Sequence, residues 1–161
     1  AIADEFYCDS AFGEVGFGGD DIMTGGNGGN RFYGDSECGD VGTGGDDTMI
    51  GGSDDDYFVG DSEFGSVETG GEDTFVIDVS GPFGDDIIVD AGSGTTEGVD
   101  TLRIKGVASI FDLDARSTFL DDGSDAVATV DVSGTIRLVG FAGIGSFVNL
   151  DASLFVEVVT D

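Results

Sequence analysis

The chain has 161 residues, 34 of them acidic against 5 basic, with no histidine and a formal charge of −29. Such a surface repels phosphate, which argues against nucleic acid and anionic membrane as partners. Without histidine the usual base for a Ser or Cys nucleophile is missing, and no apolar run approaches the ~20 residues of a membrane span.

The first residues, Ala1-Ile2-Ala3-Asp4-Glu5, are acidic and do not read as a secretory signal. A 26-residue period then takes over. Cys8-Asp9-Ser10-Ala11-Phe12-Gly13, Gly34-Asp35-Ser36-Glu37-Cys38-Gly39 and Gly60-Asp61-Ser62-Glu63-Phe64-Gly65 align, as do the glycine turns leading to Asp21, Asp47 and Asp73. A fixed period of this size predicts a solenoid in which each repeat is one coil. Within a coil, a glycine-rich turn ends in Asp or Asn and a three-residue strand follows, with a large apolar residue at its centre. Neighbouring strand residues point to opposite faces, so only the centre faces inward. That rule predicts two inward ladders, Phe6-Phe32-Phe58 and Met23-Met49-Phe75, from two facing parallel sheets. The long half of each coil adds further ladders at Val15-Val41-Val67 and Phe12-Cys38-Phe64. Cys8 and Cys38 fall on neighbouring coils four positions apart in register, so a disulfide and two small packed side chains stand as equal readings.

After Val76 the pattern loosens. Residues 81–89 read as one more turn and strand, with the single proline, Pro82, in the turn. Residues 91–99 are a Gly/Ser/Thr-rich connection. From 100 the composition changes to alternating strands at 101–105, 126–132, 135–139 and 154–159, the middle two joined by Ser133-Gly134, a hairpin signal. The predicted fold is all-β: a right-handed parallel β-roll of about three 26-residue coils over 1–90, the 91–99 connection, and an antiparallel β cap over 100–161.

The period also stacks charge. In a parallel sheet equivalent residues repeat every ~4.8 Å, so Asp21, Asp47 and Asp73 form a column, as do Asp9, Asp35 and Asp61. Two unit charges ~4.8 Å apart repel by roughly 0.9 kcal/mol in water and roughly 3.5 kcal/mol at an effective dielectric of 20. A divalent cation between coils reverses the sign of that interaction. The available ligands are carboxylates and the carbonyls of glycine turns, a hard oxygen set that suits several Ca²⁺ ions better than Mg²⁺. Zinc and copper sites need His or Cys clusters that the chain lacks.

The turn-plus-strand unit resembles the nine-residue Gly-Gly-x-Gly-x-Asp-x-apolar-x repeat of the RTX (repeats-in-toxin) calcium-binding family over about residues 16–90. The resemblance implies side-chain ligands Asp21, Asp47 and Asp73 on one side of the roll, and Asn30, Asp56 and Asp86 on the other. It implies carbonyl ligands from the turns at Gly16, Gly18, Gly19, Gly25, Asn27, Gly28, Gly42, Gly44, Gly45, Gly51, Ser53 and Asp54. Asp4, Asp9, Asp35, Asp61, Glu37 and Glu63 are further candidates, in the aligned position of Asn30 or in the loop columns, against the plainer reading of a solvated acidic edge. The sequence departs from the family in its longer coils, in Asn30 where a carboxylate is expected, and in Phe17, Thr43 and Thr69 within the first glycine pair. Asp121-Asp122-Gly123-Ser124-Asp125 reads as a strand-connecting turn, with ion binding as the lesser reading.

Two functions are carried forward. The first is a secreted, non-enzymatic bacterial protein, folded by Ca²⁺ and acting outside the cell or at its surface as a structural or assembly unit. Its partners are then calcium and other copies of itself, joined head to tail, or an extracellular polysaccharide. It is expected to be self-contained, since the repeat starts near the first residue and the cap runs to the last. The second is a C-terminal secretion or attachment module of a larger exoenzyme. The region from 100 also resembles the family's C-terminal regions, with a closing apolar segment at Leu154-Phe155-Val156; family members leave by a type I route that reads an uncleaved C-terminal signal, which would fit the missing N-terminal signal.

Overall fold

The computed structural model describes residues 4–89, 98–121, 123–141, 143, 145–149 and 154–160. The connection read at 91–99 lies mostly outside these residues, as do Ala1, Ile2, Ala3 and Asp122. The first coil supplies strands β1 (Glu5–Tyr7), β2 (Val15–Phe17) and β3 (Ile22–Thr24). The second supplies β4 (Arg31–Tyr33), β5 (Val41–Thr43) and β6 (Thr48–Ile50), and the third β7 (Tyr57–Val59), β8 (Val67–Thr69) and β9 (Thr74–Asp78). Then come β10 (Gly84–Ile88), β11 (Asp100–Lys105), helix α1 (Ile110–Arg116), β12 (Ser117–Asp121), β13 (Ala126–Val130), β14 (Gly134–Leu138) and β15 (Leu154–Val159). The chain is nearly all β and winds a parallel solenoid of about four turns.

The predicted period is the pairing register. Phe6 pairs with Phe32 and Phe32 with Phe58, while Met23 pairs with Met49 and Met49 with Phe75. Strand alternation then decides burial: Met23 is 3% exposed while its neighbour Ile22 is 77% exposed. The Phe rings stack coil on coil at 5.1 Å, and Phe58 meets Phe75 edge-on at 6.1 Å, closing the core between the two sheets. A third parallel sheet, β2-β5-β8, joins them in the long half of the coil, with Val15 over Val41 over Val67. Left-handed backbone recurs once per coil in the short turn, at Gly28 (φ 127°), Asp54 (φ 81°) and Gly84 (φ 93°). Glycine adopts this conformation freely, whereas Asp54 adopts it under strain.

One expected ladder is on the surface instead. Phe12 and Phe64 are 80% and 69% exposed, and Cys38 between them in register is exposed too. The cause is local: the hydroxyls of Ser10, Ser36 and Ser62 accept the N–H groups of Gly13, Gly39 and Gly65 at 2.7, 2.7 and 2.9 Å. Each loop therefore turns tightly and presents its tip outward. Both cysteines are free and exposed, neither bonded to each other nor packed in the core.

The strands expected after residue 100 form, but the antiparallel cap is smaller than predicted. Antiparallel pairing is confined to β12, β13 and β14, whose β13–β14 hairpin pairs Val130 with Gly134. β11 lies parallel between β9 and β15, and β14 lies parallel to β10, so both main sheets of the solenoid continue past the repeats. Alternation of apolar residues identifies a strand without fixing its direction. Here Leu102 over Phe75 and Leu138 over Ile88 extend the two inward ladders along strands that run parallel to the coil before them. Helix α1 and β12 had no counterpart in the sequence reading. Ser109 caps the helix by accepting the Asp112 N–H at 3.1 Å, and its one buried side chain, Leu113, enters the core.

Candidate metal centre

The turn before β6 ends at Asp47, and the same position is Asp21 before β3, Asp73 before β9 and Asp100 at the first residue of β11. These four residues form a ladder of side chain to main chain. The N–H of Asp21 donates to Asp47 Oδ1, that of Asp47 to Asp73 Oδ1 and that of Asp73 to Asp100 Oδ1, each at 2.8 Å. The loop carboxylates stand opposite. Asp9, Asp35 and Asp61 accept the N–H groups of Gly19, Gly45 and Gly71 at 2.8, 3.2 and 2.9 Å, which pins the long loop to the same turns. Two predicted columns thus converge into one seam rather than two rows of sites. Asp35, Asp47, Asp61, Asp73 and Asp100 are each at most 1% exposed.

On the other side of the coil, the N–H of Asp4 donates to Asn30 Oδ1 at 3.3 Å. The chain of bonds continues from Asn30 to Asp56 Oδ1 at 2.8 Å and from Asp56 to Asp86 Oδ1 at 2.9 Å. Here Asn30 supplies donors that an ionised aspartate at this position would lack. Its Nδ2 donates to the Gly28 carbonyl at 2.7 Å and to Asp56 Oδ1 at 3.0 Å, satisfying two oxygens that a metal ion would otherwise take.

Burial makes these charges costly. It is the main cause pushing Asp35 up to about 8, with Asp47 and Asp61 adding repulsion. It likewise pushes Asp47 up to about 7, with Asp21, Asp9 and Asp61 adding to it, and Asp86 up to about 8, with Asp56 beside it. Asp73 is raised well above the usual carboxylate range by burial, then by Asp100 and Asp61. Asp56 is raised by burial too. Among the described residues no basic side chain relieves the seam: Arg103, Arg116 and Arg137 pair with Glu157, Asp131 and Asp125, and Arg31 lies over the Tyr57 ring.

Three buried side-chain oxygens lack any hydrogen-bond partner among the described residues: Oδ2 of Asp47, Asp56 and Asp73. All three belong to the positions the repeat assigns as metal ligands. A buried polar oxygen without a donor is rare and calls for an explanation, and a hard cation supplies one. The glycines are fitted to these carboxylates. A Cβ added at Gly34, Gly60 or Gly51 would strike Oδ2 of Asp47, Asp73 or Asp56, and one at Gly18 or Gly44 would strike the Asp35 or Asp61 carboxylate. Only glycine at these positions lets each carboxylate pack against the turn. Among the described residues no three acidic or thiol side chains converge on a single point close enough to hold a metal, so an ion there completes its shell with main-chain carbonyls or water.

The remaining candidates are placed elsewhere. Glu37 and Glu63 accept the Tyr7 and Tyr57 hydroxyls at 3.3 and 2.7 Å and do not join the seam. Asp121 is engaged by the N–H groups of Gly123 and Gly143, and Asp125 by Arg137 and the Gly140 N–H, which is the plain turn chemistry. Asp100 was missed. Its signal is present, since Asp100-Thr101-Leu102 repeats Asp73-Thr74-Phe75 and Gly98 stands where Gly71 does, but at a spacing of 27 rather than 26 and without the second glycine of the pair. In comparisons with known proteins, no protein-family model matches this chain and no curated protein matches it.

Proposed function

We propose that the chain is a calcium-binding β-roll of the RTX kind, whose folding is coupled to Ca²⁺ and which acts outside the cell as a non-enzymatic structural or assembly unit. The observation that carries the proposal is the set of buried oxygens without a donor among the described residues, on Asp47 and Asp73 one coil apart and on Asp56 at the other side of the coil. A proton on each carboxyl would quiet the repulsion but contributes nothing across coils. An ion between coils turns the same repulsion into attraction and ties neighbouring turns together. Oxygen ligands in flexible number favour Ca²⁺, and extracellular modules of this chemistry bind at ~10⁻⁴–10⁻³ M. That range keeps the chain unfolded in a calcium-poor cytoplasm and folds it outside.

The assembly role follows from charge. At −29, copies repel one another; each bound Ca²⁺ removes two negative charges and lowers that barrier. Calcium titration followed by circular dichroism, with magnesium in parallel, tests the binding. Sedimentation velocity in millimolar calcium tests the assembly. β-structure gained with calcium at well below the concentration at which magnesium acts, together with species larger than a monomer, is the expected result. Equal response to the two ions removes the calcium assignment, and a monomer at every calcium concentration removes the assembly role.

A further inference from the structure

We propose that copies of the folded chain join side by side, the loop tips of one copy seating Phe12 and Phe64 in a groove on the short-turn side of the next. The inference rests on the assembly reading above. It names the two surfaces that carry the contact and makes that contact lateral.

The knob is the column that the repeat suggested for the core. Phe12 and Phe64 are 80% and 69% exposed, and the exposed Cys38 lies between them in register. Serine turns brace each loop, so the apolar tips stand at coil spacing on a fixed support. The hole lies where the repeat breaks. From Asp56 to Asp86 the separation is 30 residues rather than 26, and Asp78, Ser80 and Pro82 in this longer stretch form one wall of a groove of about 400 Å³. Its floor is the column of Ile50 over Val76, and Gly26 and Gly52 line the other side with backbone alone.

A second copy fits this groove on three grounds. The first is charge. At −29 most of the surface repels another copy, but the only charged residues lining the groove are Asp78 and Lys105, the single lysine of the chain. A tip that carries Glu63 beside Phe64 therefore meets a surface without net charge that holds a cation. The second is period. Tips and groove advance by the same coil step, so parallel copies bring successive knobs to successive layers. The third is position. The tips belong to the long half of the coil and the groove to the short turn, at opposite ends of the two facing sheets. Knob and hole so placed cannot satisfy each other within a two-fold pair, so the contact is heterologous and the assembly grows.

Sedimentation velocity in millimolar calcium, with circular dichroism to check the fold, tests this through two surface variants. The double variant Phe12→Ser, Phe64→Ser removes the knobs, and Ser80→Trp fills the groove from its exposed wall. Loss of an aromatic anchor or its pocket should weaken association at least about thirtyfold in each. Mixed one to one, the two variants should pair and stop there, because one intact knob meets one intact hole. Hydrogen exchange of wild type at low and high protein concentration needs no variant: residues 50–53 and 62–65 should gain protection together. Undiminished assembly of both variants, a mixture that fails to pair, or wild-type assembly without protection of these segments overturns the inference and leaves the assembly reading standing. A wild-type protein that stays monomeric in calcium removes both.

Discussion

Asp47→Asn should change sign with the solution. In chelator the variant is expected to be more stable than wild type, and in calcium less stable. Asp47 is 1% exposed, keeps Oδ1 on the Asp21 N–H and leaves Oδ2 without a donor. Burial and the neighbouring carboxylates push it to about 7 from the ordinary 3.8. At pH 8 and about 1.4 kcal/mol per tenfold, that gap is a cost of about 4 kcal/mol for keeping the charge. Relaxation and water reaching the seam lower it to about 2 kcal/mol. Asparagine keeps the acceptor and removes the charge, so that cost disappears. With calcium present the same change removes a charged ligand and raises the calcium midpoint about tenfold or more. Trimethylamine N-oxide can drive folding in EDTA at pH 8 by favouring burial. The variant should then fold at lower osmolyte concentration than wild type, yet require more calcium when calcium drives folding. A variant weaker than wild type in both solutions, or with an unchanged calcium midpoint, refutes the reasoning.

Asp54 holds a left-handed conformation that Gly28 and Gly84 occupy in the neighbouring layers. Asp54→Gly is expected to stabilise the calcium-loaded protein by about 1 kcal/mol in urea denaturation, unless the Asp54 side chain is itself a ligand, in which case stability falls. In chelator the folded coil holds protons that the unfolded chain releases, since Asp35 and Asp86 lie near 8 and Asp47 near 7. Metal-free stability should therefore be full below about pH 4 and decline as pH rises toward 8, measured as residual β circular dichroism in EDTA. Where trimethylamine N-oxide holds the metal-free coil folded at pH 7, calcium displaces those protons, so adding it in weak buffer should acidify the solution; no proton release from the folded metal-free coil contradicts the raised carboxyls.

The coil was legible because its causes are periodic. A Phe or Met every 26 residues, flanked by polar neighbours, states both the strand and its inward face, and the pairing of Phe32 with Phe58 follows. The carboxylate columns were legible for the same reason. Their convergence was not, because it depends on how far the long loop folds back, and a hydrogen bond from Gly45 to Asp35 fixes that. Phe12 and Phe64 misled because repetition marks register, not burial; a serine turn sends them outward. Between Asp73 and Asp100 the period slips by one, so Asp100 left the column on paper while the backbone kept it there. The parallel course of β11 and β15 had no local sequence signal, since direction is set by the edge each strand meets.

The proposed calcium role holds that buried acids in register, with no basic partner among the described residues, form a stable coil near neutral pH only with a metal ion between them. Far-ultraviolet circular dichroism and thermal melting of rigorously demetallated protein at pH 8 and low ionic strength test this most directly. The expected outcome is a largely unstructured chain that gains a β spectrum and a cooperative melt when millimolar calcium is added. A compact protein that melts cooperatively without metal contradicts it.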